Sequence, residues 1–379
     1  MLALEPSPAA GFPNGRHIAA FAARGTGPRP AEDAATVGFE AFGLPLVVAH
    51  LSSTDPAACT RSLRTATEVL ISPQQATRLI AAGGIPPIIQ LLHHEDPKLR
   101  AGAANALRMC ASRMQGCERI LEAEALAALL QTVSDPDDDV RDCSFACLES
   151  AARHAVMGKA LVALPGSLST LLRLAVLPTC TSDQQRIALL LLSCSLGGRE
   201  ADAALEILLE EPGLMAAFQT LLERDQPLPV VTQAAHLLAV MCSDATTRNM
   251  SVEAELVTLL VKHLTGGSLA AGQAAAEALA ILTVSVPAKQ AAINTGICKF
   301  VPSLLRQKNA AFIHSLLLLI SSLAESPSAR QELQPAVPVL EDLRFKSEPR
   351  TLLGVIKQTL EQLSFTCLPF GIQLVKLPQ

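Results

Sequence analysis

The sequence predicts an all-α solenoid of tandem repeats, and three observations carry that reading. Large aliphatic residues recur at a near-constant interval: Leu107, Leu148, Leu192, Leu238, Leu279 and Ile320 sit in equivalent settings, separated by 41, 44, 46, 41 and 41 residues. Self-similarity at a period of about 20–50 residues marks an array in which no unit buries its apolar face alone. Half of the 379 residues are apolar, yet aromatics are only 3% and Trp and Tyr are absent. A core without them is built from Leu, Ala, Val and Ile, which favours closely packed helices over a β-sandwich. Within a unit, Ile85, Ile88, Ile89 and Leu92 follow the i, i+3, i+4, i+7 rule of one buried helical stripe.

Taken in order, residues 1–43 read as a disordered or extended tail rich in Pro, Gly and Ala, without the long apolar run of a secretory signal. Arg16 and Arg24 amid alanines leave an organelle-transit segment as the alternative. About eight units fill 44–363: 44–83, 84–124, 125–166, 167–213, 214–254, 255–296, 297–336 and a truncated cap at 337–363. In the first, TATEVL (65–70) reads as out of phase by a few residues. The second and third align at a shift of 41, pairing Ile85 with Leu126, Ile88 with Leu129, Asp96 with Asp137, Arg100 with Arg141 and Leu107 with Leu148. The Asp96-Pro97 step supplies a helix N-cap and a first-turn proline. The helix it starts carries Leu99, Ala103, Ala104, Leu107 and Cys110 on one side. A shorter helix follows at CERILEAEA (117–125), matched by QATRLIAAG (75–83), AKQAAINTG (288–296) and SARQELQPA (328–336). The fourth unit is the longest, and READAALEILLEEPG (199–213) reads as its extra material. Residues 364–379 leave the pattern as a non-helical tail. There GIQLVKL partly alternates like a strand, suited to folding back on the last repeat or to strand addition onto a neighbour. Short helix, helix, long helix at a period near 41 resembles the armadillo repeat, with the two-helix HEAT repeat the close alternative. The resemblance implies a right-handed superhelical solenoid whose third helices line a concave groove.

The chain carries few signs of chemistry. A formal charge of −5 and the lack of stacking aromatics argue against nucleic acid. Apolar runs such as IALLLL (187–192) and SLLLLI (315–320) are too short to cross a bilayer, so no membrane is expected. The ten cysteines form no C-x-x-C pair and sit mostly in apolar helical stretches, as reduced cysteines do. Cys143 and Cys147 lie one turn apart with no second ligand pair near in sequence. Phosphate-binding, nucleophile-elbow and zinc-protease motifs are all missing. DPDDDVRD (135–142) has the charge of a calcium loop without its glycine or distal glutamate. His93, His94, Glu95 and Asp96 hold the raw material of a metal site or an acid/base pair. Adjacent helical residues point about 100° apart, however, and the next unit puts Ser134 and Asp135 in place of the histidines. No catalytic residue, metal, cofactor or small-molecule substrate is expected.

What remains is surface. Import receptors of armadillo type hold basic peptides on a ladder of Trp and Asn. Here the tryptophan positions are Asn105, Ala146, Leu190, His236, Glu277 and Leu318, and the asparagine positions are Met109, Ser150, Cys194, Val240, Ile281 and Ser322. The ladder is missing in every unit, which disfavours a receptor for nuclear-localisation signals. The polar points of the groove are Asn105, Arg108, Glu149, His236 and Glu277. With the recurrent Arg100 and Arg141 they form the candidate partner-binding set. Apolar groove positions suit permanent packing against a protein partner, with packing inside the repeat as the plainer reading of each residue.

SSLAESPSARQELQPAVPVLEDL (321–343), the TATEVL of the first unit and the repeat count are similar to the radial spoke head protein 14 family, over roughly 44–363. The resemblance implies a non-catalytic scaffold subunit of the radial spoke, binding other spoke proteins through its armadillo surface. It also implies a place in the cytoplasm and cytoskeleton, at the axoneme of cilia and flagella. Two alternatives belong to other classes. One is a cytoplasmic armadillo adaptor binding partner peptides in the groove; the other is a catalytic or metal-binding protein using 93–96.

Overall fold

The structure, a computed structural model, describes residues 40–223, 225–346 and 350–365. Among the described residues all regular structure is helical. The expected N-terminal tail lies outside them up to residue 39, and so does the strand-like GIQLVKL. The helices group into two compact units, one ending at Ala106 and one beginning at Leu107.

In the first unit α1 (Glu40–Leu51) packs on α2 (Pro56–Ile71), followed by α3 (Pro73–Ala81) and α4 (Ile85–Leu91). The helix α1 begins inside the stretch read as tail. The long α5 (Pro97–Ala111) starts in the first unit and ends in the second. Its N-terminus is set by Asp96, whose carboxylate accepts the Lys98 N–H at 2.9 Å. Asp55 does the same for α2, accepting from Ala57 and Ala58 at 3.0 and 3.2 Å, while Pro56 fills a position that needs no N–H.

The buried face of α2 corrects the phase read for TATEVL. After Cys59, whose counterpart Arg100 is only half-buried, it consists of Ser62, Leu63, Thr65, Ala66, Val69 and Leu70. Their counterparts 41 residues on are Ala103, Ala104, Ala106, Leu107, Cys110 and Ala111, all buried. The register is therefore kept, but large and small residues have changed places. Leu63 stands for Ala104, Ala66 for Leu107 and Leu70 for Ala111. Gly102 accommodates the exchange, since a Cβ there would lie 2.7 Å from Leu63 Cδ2.

The second unit continues with α6 (Met114–Glu122), α7 (Ala125–Thr132), α8 (Asp138–Ala152), α9 (Val156–Ala163), α10 (Ser167–Val176) and α11 (Ser182–Ser195). After them come α12 (Ala201–Glu210), α13 (Leu214–Leu221), α14 (Leu228–Met241), α15 (Ala245–Glu253), α16 (Leu256–Thr265), α17 (Leu269–Leu282) and α18 (Val286–Asn294). A 3-10 turn at Ile297–Lys299 leads to α19 (Val301–Leu304), α20 (Ala310–Leu323) and α21 (Pro327–Glu332). A second turn at Gln334–Ala336 precedes α22 (Val337–Lys346) and α23 (Arg350–Ser364).

The long helices α8, α11, α14, α17, α20 and α23 pack each on the next in that order. Leu107, Leu148, Leu192, Leu238, Leu279 and Ile320 are all 0% exposed, so the periodic aliphatics form the core of this unit. Removing each from water stabilises the fold by roughly 1.5–3 kcal/mol. Side-chain caps start α8, α11 and α20, whereas α14 and α17 begin without one. Asp137 accepts from Val140 at 3.2 Å, Thr181 and Gln184 form a reciprocal capping box, and Asn309 accepts from Phe312 at 2.9 Å.

Six steps from one repeat to the next pass through a left-handed residue, Gly83, Glu124, Gly166, Gly213, Glu255 and Gly296, with φ between 55° and 89°, whereas the last step, into α22, passes through right-handed Val337 at φ −57°. The left-handed conformation reverses the chain from the short helix of one repeat into the first long-range contact of the next. The length of the fourth repeat has a different origin from the one read in the sequence. READAALEILLEEPG contains that repeat's regular short helix, α12, which buries Ala204 and Leu208. The added residues lie partly in the turn 196–200, which is longer than its equivalents 153–155 and 242–244.

Candidate functional site

The cluster at 93–96 is a turn, built in the same way as its counterpart one repeat later. His94 Nδ1 accepts the Asp96 N–H at 2.9 Å, and Asp135 Oδ1 accepts the Asp137 N–H at 2.9 Å. An imidazole here replaces a carboxylate as the acceptor that tightens the turn. Arg100 Nη1 donates to the carbonyls of His94 and Glu95 at 2.9 and 2.8 Å. Arg141 Nη1 donates to those of Asp135 and Pro136 at 2.7 and 3.1 Å, and its other nitrogen pairs with Asp138. These two predicted site residues thus clamp interhelix turns. Arg248 and Arg330 repeat the device on Cys242 and Ser243, and on Ala324 and Glu325, five and six residues upstream. Among the described residues no group of three or more His, Cys, Asp or Glu is placed to hold a metal ion.

The other candidates lie on the solvent side of the long helices. Asn105 belongs to the first unit and is half-buried on α5. Arg108, Glu149, His236 and Glu277 belong to the second, each partly exposed. Arg108 acts on the thiol of Cys143, which burial and then Asp139 push up while Arg108 opposes them.

Glu149, His236 and Glu277 bridge successive helices. Glu149 Oε1 accepts from Arg186 Nη2 at 2.8 Å, linking α8 to α11, and Arg186 Nε also reaches Asp183 at 3.2 Å. Burial draws the Arg186 guanidinium down, but its bonds to Glu149 and Asp183 outweigh burial and leave it raised. His236 Nδ1 lies 3.2 Å from Glu277 Oε2, linking α14 to α17. The second oxygen of Glu277 accepts from Gln273 Nε2 at 3.1 Å and from Ser315 Oγ of α20 at 3.2 Å.

Sequence reasoning missed the remaining members of this polar seam. Gln184 donates to Asp142 at 2.8 Å, Gln233 to Ser193 at 3.2 Å, and Ser321 meets Thr359 at 3.0 Å across α20 and α23. Their signal was present: Ser193, Gln233, Gln273 and Ser315 are polar residues inside long helices otherwise made of Leu, Ala and Val. With these partners taken, the face left open is apolar. Val240 is 41% exposed and Leu318 46%, and Leu190 and Ile281 are half-buried beside them in register. A surface cleft of about 630 Å³ lies elsewhere, against α16, lined by Leu222, Glu223, Leu228, Lys262 and His263. Its imidazole is committed to the Leu222 carbonyl at 2.9 Å.

Comparison with known proteins accords with this architecture. Residues 72–109 match the armadillo/β-catenin-like repeat family. Over 254 residues the chain is 30% identical to radial spoke protein 14 of Chlamydomonas reinhardtii, an alignment that spans 65% of each protein. A crystal structure of an engineered protein superposes with a TM-score of 0.59 at 22% identity, covering 86% of this chain and 89% of the other, which shows a shared fold.

Proposed function

We propose that this armadillo-repeat protein, similar to radial spoke protein 14, is a structural, non-catalytic subunit of the radial spoke in cilia and flagella. The observation that carries the reading is the 30% identity to that spoke protein over a stretch far longer than one repeat. The surface of the chain supports it. Imidazoles and carboxylates that invite a catalytic reading are engaged in turns and helix-to-helix bonds, and the exposed face offers apolar side chains suited to lasting contact with another protein. In this reading the chain binds other spoke proteins through its armadillo surface, with Asn105, Arg108, Glu149, His236 and Glu277 along the contact, and resides at the axoneme.

Expression of a tagged copy in a ciliated cell tests it. The tag is expected along the axoneme, resistant to detergent and released by chaotrope. A pool confined to the detergent-soluble cytoplasm and nucleus would refute the spoke reading and favour a peptide-binding adaptor.

A further inference from the structure

The long helices of the second unit divide into two halves of different chemistry. On α8 the sequence places Asp138, Asp139, Asp142 and Glu149 against Arg141, whereas on α11 Asp183 is balanced by Arg186. By contrast α14, α17 and α20 contain no Lys, Arg or Asp, and their single carboxylate, Glu277, is engaged by His236, Gln273 and Ser315. Open to solvent on this second half are Val240 and Leu318, with the half-buried Ile281 between them.

An apolar strip whose ionisable neighbours His236 and Glu277 are already paired, and beside which the Ser322 hydroxyl is buried without a partner, discriminates between kinds of occupant. An extended peptide brings an unpaired N–H and C=O at every residue and loses free energy when these are covered without partners. A helix satisfies its own backbone and presents only side chains. Spacing agrees. Packed helices lie about 8–10 Å apart, close to the rise of about 10.5 Å over seven residues of an α-helix. Same-face residues of a strand recur at about 6.6 Å and miss the rungs.

We infer that the strip Val240–Ile281–Leu318 takes an amphipathic α-helix of a partner protein, with apolar side chains at heptad spacing and a basic end that reaches the acidic α8. This rests on the reading above that the chain works by binding other proteins, and it names the kind of segment bound. The affinity then has two separable parts: apolar anchors over α14, α17 and α20, and salt-sensitive attraction over α8.

The test uses the full chain and a labelled synthetic peptide of about 35 residues, five heptads long so that it spans from α20 to α8, with Leu at heptad spacing in its last three heptads, Lys in its first turns and neutral polar residues elsewhere. Fluorescence anisotropy should show saturable binding. The peptide with prolines placed mid-sequence, and the protein variant carrying Val240→Asp with Leu318→Asp, should each bind at least about tenfold more weakly. Both sites are exposed, and an unchanged melting curve verifies that the variant is folded. Equal binding of the proline peptide would mean an extended occupant and overturn the inference. Undiminished binding by the variant, no saturable binding, or a dimer of the wild-type chain broken by the variant would overturn it too. Axonemal incorporation of the tagged chain is read separately. A chain that joins the axoneme while failing the peptide test retains the spoke reading without the helix; a chain that passes the peptide test but stays off the axoneme does the reverse.

Discussion

Leu148 has no exposed surface and lies on α8, the first of the six stacked long helices. Its replacement by Ala removes buried methyl groups and leaves a cavity, so Leu148→Ala should cost roughly 2–5 kcal/mol in urea unfolding; a change below about 0.5 kcal/mol would contradict the register. The thiols give a second prediction at this scale. Burial pushes Cys110 up to about 12 and Cys117 up to about 11, with Cys147 raised as well by burial and by its two neighbours. A thiol that stays neutral in the folded state contributes stability that is complete below its ordinary value of 9.0 and is lost as pH rises toward the folded values. Each such thiol should therefore cost about 1.4 kcal/mol per pH unit above pH 9. The chain has no Tyr, so phenols do not mask the effect. The urea midpoint should fall between about pH 9 and 10.5, and Cys110→Ala should flatten that fall; a pH-independent midpoint would show the thiols to be solvated. Residues of this type were legible in the sequence, because a buried Leu or Cys at a fixed interval announces itself. His94 was legible only by comparison with Asp135, since the imidazole does a carboxylate's work in the turn.

At the scale of the element, six joints between repeats follow one geometric rule that the sequence shows only in part. Gly83, Gly166, Gly213 and Gly296 are visible helix stops, whereas Glu124 and Glu255 adopt the same left-handed conformation with nothing in their side chains to signal it. There the packing of flanking helices imposes the reversal at a cost of roughly 1–2 kcal/mol per residue. A Cβ added at Gly166 or Gly213 would meet nothing within 4 Å, so the cost of Ala at either site is conformational rather than steric. Gly166→Ala and Gly213→Ala should each lower stability by about 1 kcal/mol, while Glu255→Gly should be neutral or raise it by up to about 1 kcal/mol. Calorimetry of the three variants decides: opposite signs support a shared joint, and the same sign for all three refutes it. The first repeat went astray at the same scale. Its large and small residues are exchanged relative to the next repeat, and a reading keyed to the positions of large side chains shifts phase although the buried positions are the same from Ser62 onward.

For the whole molecule, the question is whether the polar residues of the long helices serve stability or recognition. The sequence presented His236 and Glu277 as polar points of a groove, because residues 41 apart look independent along a chain. The fold sets them 3.2 Å apart and adds Ser315 from the next helix, so one carboxylate joins three consecutive helices of the second unit. In an array stabilised by nearest-neighbour contacts, such a group adds to the coupling between repeats rather than to any repeat alone. Glu277→Ala leaves His236, Gln273 and Ser315 without their shared acceptor and should lower stability by about 1–3 kcal/mol. The loss should also spread: amide hydrogen exchange should quicken in α14 and α20 as well as in α17, because the substitution weakens both interfaces. Glu277→Gln, which retains an acceptor oxygen, should recover part of the loss. If Glu277 acts only in partner binding, the Ala variant will keep its stability and exchange rates while losing affinity, and the seam will have no structural role at that position.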